Sequence, residues 1–500
     1  MATEQAASQG PSQAPNDARW GQLGREAVRS FVWAAISFGG NRFVVFVSTL
    51  VLARLLAPRD FGVVAAGLAV IAYLEVALDL GVTSALIYEQ ERGVTDRVQT
   101  AFTLNIFVSA LLFMVGLAAA PGVARFFRVP GEENIFRALS LFLLIRGAGQ
   151  VHDTILKRDL LFRKRTLVEL LRAVVRAGLA IWLALLGYEA WSIVWGFLAG
   201  ELAGTVVSWF LVSLRPSWSL DRVAARTLLK FGFSVVGIKI LGEIGTNADY
   251  LVVGNRLGPD ELGFYSIAFR LPELFVGNIF WIFSSVAFPL YSKTRALGST
   301  AFRTSMLRAL TFATLFGFPI GAGLAIVARD AVLVLFSSKW APAIVPMALI
   351  SIAFGVGSVG FASGDIFPAL GKPGALLKID TPLTVILVVA FVLAAPYGIT
   401  AVAWVHLVIS LLYAMVRLVV ANRLVGSSLP ENFRAMRAGL CATAGVVALA
   451  LPVRLATTAG LGALLLTVLA GSVGGLVGLL ASGRSSVDEV RSLARQVLSR

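Results

Sequence analysis

Leu56-Ala57-Pro58-Arg59-Asp60-Phe61-Gly62 recurs 201 residues later as Leu257-Gly258-Pro259-Asp260-Glu261-Leu262-Gly263. Each copy sits between two long apolar stretches and reads as a turn that opens a helix. Proline suits the first helical position, where its missing N–H costs nothing. The acid two residues later faces the positive end of the helix dipole, and glycine permits a tight turn or close packing. Helix capping is therefore the ordinary role of Asp60 and Glu261. Six helices separate the copies, so both halves enter a membrane with the same orientation. Such parallel repeats are the sequence signature of a transporter whose site lies between its halves.

The composition around the repeat agrees. Of 500 residues, 57% are hydrophobic and 14% charged, and the mean hydropathy is +0.83. Soluble domains average about 45–50% apolar and about 25% charged. A soluble enzyme, a disordered chain and a disulfide scaffold are excluded. The single cysteine, Cys441, rules out an internal disulfide or cysteine metal cluster, and two histidines, His152 and His406, are too few for a histidine zinc site. No cofactor is expected. The net charge of +15 suits cytoplasmic loops facing anionic lipid and no nucleic acid. Residues 1–18 lack the basic-then-apolar order of a signal peptide, so the first membrane helix is expected to direct insertion.

Fourteen apolar segments between residues 31 and 482 approach the length of about 20 residues that a spanning helix needs. The expected fold is an all-α integral membrane protein of two parallel-repeat six-helix bundles and a C-terminal helix pair. The expected divisions are a polar tail over 1–29, an N-terminal half over 30–212 and an amphipathic linker over 213–229. A C-terminal half over 230–422, a terminal pair over 437–482 and an amphipathic tail over 484–500 follow. Lys and Arg concentrate in the N-terminal tail, the even-numbered loops and the C-terminal tail, which places both termini in the cytoplasm. Residues 215–230 and 295–308 read as interfacial helices. Gly471/Gly475 and Gly474/Gly478 suit close helix contact in the terminal pair.

The run Leu52-Ala53-Arg54-Leu55-Leu56-Ala57-Pro58-Arg59-Asp60-Phe61-Gly62, followed by Asp79-Leu80-Gly81-Val82-Thr83-Ser84-Ala85-Leu86-Ile87, resembles the polysaccharide-transporter (oligosaccharide flippase) branch of the MOP superfamily. The resemblance covers residues 30–480. It implies a non-enzymatic flippase for polyprenyl-pyrophosphate-linked oligosaccharides in the bacterial inner membrane, serving exopolysaccharide, capsule or O-antigen export. Membrane lipids, a polysaccharide polymerase and export machinery are the implied partners. A cation-coupled drug antiporter of the same superfamily is the alternative within transport. A membrane polymerase or ligase is the alternative from another class, but such enzymes carry a long extracytoplasmic loop, and the loops here are short.

Charges inside a bilayer are costly, so they are expected to face a cavity or a partner. Arg42, Lys239 and Arg270 are the candidate ligands for a pyrophosphate, which favours cationic, multi-donor groups. Glu75, Asp79, Glu243 and Asp249 are the candidate counter-charges or ion-coupling sites. Arg42 is expected to relieve the repulsion between Glu75 and Asp79, and Lys239 to meet Glu243 one turn away. Glu201 and Arg146 are a further possible pair between helices. Glu169, Arg172 and Arg176 share one face of the fifth span, as either an entry funnel or paired, snorkelling charges. Gly39, Gly40 and Pro272 are helix weak points and candidate hinges. Gly355-Val356-Gly357-Ser358-Val359-Gly360 matches a dinucleotide-binding fingerprint but lies inside an apolar span, where close helix packing explains it better.

Overall fold

The computed structural model describes residues 39–79, 94–159, 161–214 and 217–483. The polar tails over 1–29 and 484–500 and the run 80–87 lie outside them. The N-terminal half comprises α1 (39–55), α2 (Pro58–Asp79), α3 (Val94–Phe126), α4 (Glu133–Arg158), α5 (Phe162–Leu185) and α6 (Glu189–Leu211). The C-terminal half comprises α7 (Arg222–Leu257), α8 (Pro259–Pro272), α9 (Asn278–Ala296), α10 (Ser299–Ala331), α11 (Ile344–Gly364), α12 (Pro373–Ala394) and α13 (Ile399–Val425). The terminal pair is α14 (Leu429–Ala456) and α15 (Leu461–Ala481). No strand occurs among the described residues.

Nine helical segments among the described residues are long and apolar enough to cross a membrane. The five expected spans outside that set are 39–55, Glu133–Arg158, Phe162–Leu185, Arg222–Leu257 and the α8–α9 unit. Segment 39–55 is the described part of the first expected span, and the other four carry charges within the span, so the residues that lower their hydropathy include the functional candidates. The outer surface is apolar: Phe210, Leu455 and Leu469 are 85%, 77% and 62% exposed. In water such a belt would drive association; in a bilayer it meets acyl chains.

Local chemistry explains the helix ends. Pro259 opens α8 with Asp260 and Glu261 in its first turn, and the Asp60 carboxylate accepts the Ala57 N–H at 2.8 Å. Ser428 and Glu431 form a capping box at the start of α14. Past Pro272, the residues Glu273–Gly277 wind as a π-helical turn before α9 resumes. A proline next to a π-turn interrupts the regular ladder at the position expected to be weak. Two expected surface helices take another form. Residues 222–230 run unbroken into the seventh span as part of α7, and 295–308 is divided by a turn between α9 and α10.

Glycine sets the closest approaches. A methyl on Gly474 would fall on the Gly445 carbonyl, one on Gly445 on the Gly474 carbonyl, and one on Gly478 on the Cys441 carbonyl. Gly439 of α14 lies against Thr314 of α10, which ties the pair to the C-terminal half. Gly355 packs against Gly317 and Gly321 of α10, so the fingerprint-like run is a helix contact.

One ion pair braces α12 against α13: Arg417 Nε and Nη2 donate to the two Asp380 carboxylate oxygens at 3.0 and 2.8 Å. Arg417→Met leaves that carboxylate without its partner. The expected cost is about 3 kcal/mol, read as a lower melting temperature in detergent. Adding Asp380→Leu should recover most of the loss.

Candidate functional site

The two repeat turns pack on one another. A methyl on Gly62 would fall on the Pro259 carbonyl oxygen, and one on Gly263 on the Pro58 carbonyl oxygen. The contact is reciprocal, as a two-fold relation between halves requires. Only hydrogen on both Cα atoms lets the backbones of α2 and α8 approach so closely. Phe61, Leu262, Tyr265 and Trp340 are buried around this crossing. Trp340 meets Phe61 edge-on at 5.2 Å and Phe264 at 6.0 Å.

A polar latch crosses the same end. Trp340 Nε1 donates to Ala53 O at 2.8 Å, and Lys339 Nζ donates to Leu56 O at 2.6 Å. In return, Arg54 Nη2 donates to Val334 O at 2.7 Å. The halves are thus sealed at the repeat-turn face. Trp340→Phe keeps the ring packing and orphans the Ala53 carbonyl. It should weaken the seal by about 1–2 kcal/mol, read as faster labelling, from the repeat-turn side, of a cysteine placed at Ala72.

Away from the seal a cavity of about 420 Å³ opens between the halves. Its walls are Glu75 of α2, Arg146, Gln150, Asp153, Thr154 and Lys157 of α4, and Lys239 and Glu243 of α7. At 1.5 Å per residue, Glu75 lies about 25 Å along α2 from Pro58. The cavity therefore belongs to the opposite face.

Its N-terminal wall is a continuous ion network. Arg146 meets Glu75 at 3.2 Å and Asp153 at 2.9 Å. Arg172 meets Asp153 at 3.4 Å, Glu169 at 3.2 Å and Glu201 at 3.2 Å. Asn41 of α1 donates to Glu169 at 3.4 Å. Four helices of one half are joined through alternating charges, and the Asn41 amide ties α1 to them.

Three further guanidinium groups gather from both halves. Arg42 on α1 meets Glu273 of the π-turn at 3.4 Å. Arg176 on α5 lies over the Phe197 ring at 4.8 Å and feels the fields of Arg42, Arg270 and Glu201. The buried Nε of Arg270 on α8 has no hydrogen-bond acceptor among the described residues. Glu201, paired with Arg172, also attracts Arg176.

The charged candidates meet these partners among the described residues. Glu75 pairs with Arg146, and Arg42 pairs with Glu273 in the other half. Glu201 pairs with Arg172. Glu243 lines the cavity with Lys239 but accepts from Asn247 Nδ2 at 2.5 Å. Asp249 lies in the core, accepting from Tyr265 Oη at 3.0 Å and Tyr250 N at 2.9 Å. The Asp79 side chain lies outside the described residues. Gly40 abuts Leu170 at 2.9 Å on its would-be methyl, whereas nothing approaches Gly39. His406 is enclosed by Phe269, Phe354 and Phe391, as a packed histidine. Asp153 and Lys157 were not among the sequence candidates, and Arg146 was considered only as a partner of Glu201, although charge in a long apolar segment was the signal that marks them.

Comparison with known proteins fits this geometry. The family model described as polysaccharide biosynthesis protein matches residues 51–345. The succinoglycan biosynthesis transport protein ExoT of Rhizobium meliloti (strain 1021) is 27% identical over 334 residues, 66% of this chain and 67% of that protein. Among solved structures, the lipid II flippase MurJ in an inward closed conformation superposes with a TM-score of 0.74 at 13% identity, covering 95% of this chain and all of MurJ. An inward-facing MATE multidrug transporter of the MOP superfamily gives a TM-score of 0.63 at 16% identity, covering 79% of this chain and 98% of that one. These likenesses show the MOP transporter fold. With the family model spanning both repeat turns and the charged cavity between them, the chain belongs to the polysaccharide biosynthesis protein family.

Proposed function

We propose that this chain flips a polyprenyl diphosphate-linked oligosaccharide across the bacterial inner membrane. All fourteen segments cross the bilayer, the termini are cytoplasmic and the repeat turns face outward. The observation that carries the reading is the Arg42–Glu273 pair across the halves, with Arg270 three residues before Glu273 and Arg176 within electrostatic reach of Arg42 and Arg270. Their positive charges suit an anion. A diphosphate esterified at both ends carries two negative ones, and guanidinium forks match phosphate geometry.

The network around Glu75, Arg146 and Asp153 supplies carboxylate and guanidinium groups suited to sugar hydroxyls. The seal lies at the outer face and the cavity toward the cytoplasm, which is the state that receives substrate. Outward release requires the Gly62–Gly263 crossing to part while the other end closes. The Arg42–Glu273 pair spans the halves, and a diphosphate competing for Arg42 would loosen it. The flipped unit then reaches a polysaccharide polymerase and export machinery. The ExoT likeness supports transport in polysaccharide biosynthesis.

Disrupting the gene and profiling lipids by mass spectrometry tests this. Complete lipid-linked repeat units should accumulate while surface glycan is lost. Complementation with Arg42→Ala at normal membrane abundance should fail. An unchanged lipid profile with intact glycan and new drug sensitivity would move the protein to drug export.

A further inference from the structure

A second cavity, of about 380 Å³, lies at the repeat-turn end of the C-terminal half, remote from the charged cavity. It is bounded by the end of α10, the start of α11 and the end of α14. Its walls are apolar, with Ile326, Ile344, Ala348 and Leu455 among them, and its head carries Arg329 and Arg454. Both arginines occupy the last turn of their helix.

The usual role of a basic residue there is to meet the helix dipole or to snorkel. Arg454 does this in part: Nη1 donates to Thr457 O at 3.3 Å. It also pairs through Nε with the fully buried Asp330 at 2.5 Å. That acid is neutralised, and Arg454 itself is 9% exposed. Arg329 is exposed, and its side chain forms no hydrogen bond or ion pair with any described residue. Two guanidiniums against one carboxylate leave a single positive charge above an apolar slot. Val345 and Leu455, at its mouth, are 51% and 77% exposed on the surface that meets acyl chains.

We propose that this cavity binds one phospholipid of the outer leaflet. Its phosphodiester sits between Arg329 and Arg454, and an acyl chain runs along Ile344, Ala348 and Leu455. A phosphodiester carries one negative charge, which the site balances; a diphosphate would exceed it. The volume falls in the range of small-ligand sites, about 300–1,000 Å³. The lipid would join α14 to α10 and α11 at the end opposite the Gly439–Thr314 contact.

Native mass spectrometry of the full-length protein in detergent, titrated with phosphatidylglycerol, tests the site. The wild type should retain one lipid preferentially. Arg329→Gln keeps the Asp330–Arg454 pair, and Ala348→Phe fills the slot without touching a charge. Each should lower occupancy of that lipid about tenfold. Unchanged occupancy in both variants would overturn the proposal. So would displacement of phosphatidylglycerol by an equal concentration of farnesyl diphosphate, which would assign the cavity to isoprenoid diphosphates.

Discussion

Arg270→Ala is expected to lower glycan export at least about a hundredfold at unchanged membrane abundance. The C-terminal half supplies this guanidinium, and its buried Nε has no acceptor among the described residues. A hydrogen bond to a charged group contributes about 1.5–3 kcal/mol, and a fork grips phosphate through two. Losing about 3 kcal/mol corresponds to roughly a hundredfold in affinity. Arg270→Lys keeps the charge and gives up the fork, so an intermediate defect should follow. The paired readings are accumulated lipid-linked oligosaccharide and residual surface glycan, normalised to protein in the membrane. Normal export by Arg270→Ala would remove Arg270 from the substrate site.

Gly62→Val should hold the protein open at the repeat-turn face and abolish export by a different route. The first carbon of the new side chain falls on a backbone oxygen of Pro259, and backbone cannot yield as a flexible side chain does. Overpacking costs about 1–3 kcal/mol, and a clash against backbone belongs at the upper end. About 3 kcal/mol moves the balance of conformations roughly a hundredfold. With Cys441 replaced by serine and a cysteine placed at Ala72 in the cavity wall, an impermeant maleimide added from the repeat-turn side should label Gly62→Val quickly and the parent slowly. Gly263→Val should behave alike, because the contact is reciprocal. Slow labelling in both variants would show that the crossing is not the seal.

The sequence discloses the repeat because its parts are local: a proline, an acid and a glycine at fixed spacing. It leaves open whether each glycine serves its own turn or a contact. Gly62 serves a contact, with the other copy of the motif, and that depends on how two halves meet. The same limit applies to charges. Arg42, Arg270 and Glu75 are visible as ions in apolar helices, but their partners are set by packing. Hence Glu75 meets Arg146 on α4 rather than Arg42 on its nearest neighbour in the chain. Arg146 and Asp153 stand out less because α4 carries so many charges that it reads as a poor span. Asp249 resembles a lumen acid by composition, and only its hydrogen bond from Tyr265 places it in the core.

The reciprocal crossing also dictates an order of biogenesis. Gly62 and Gly263 are separated by 201 residues of chain. At about 5–20 residues per second, roughly 10–40 s pass between emergence of the first glycine from the ribosome and arrival of its counterpart. Throughout that interval α2 stands in the bilayer with its partner unsynthesised, held by the N-terminal half alone. The salt-bridged wall joining α2, α4, α5 and α6 is complete within that half. It gives the nascent bundle a polar interior of its own, so the first half can wait in lipid as a finished unit until the second is made.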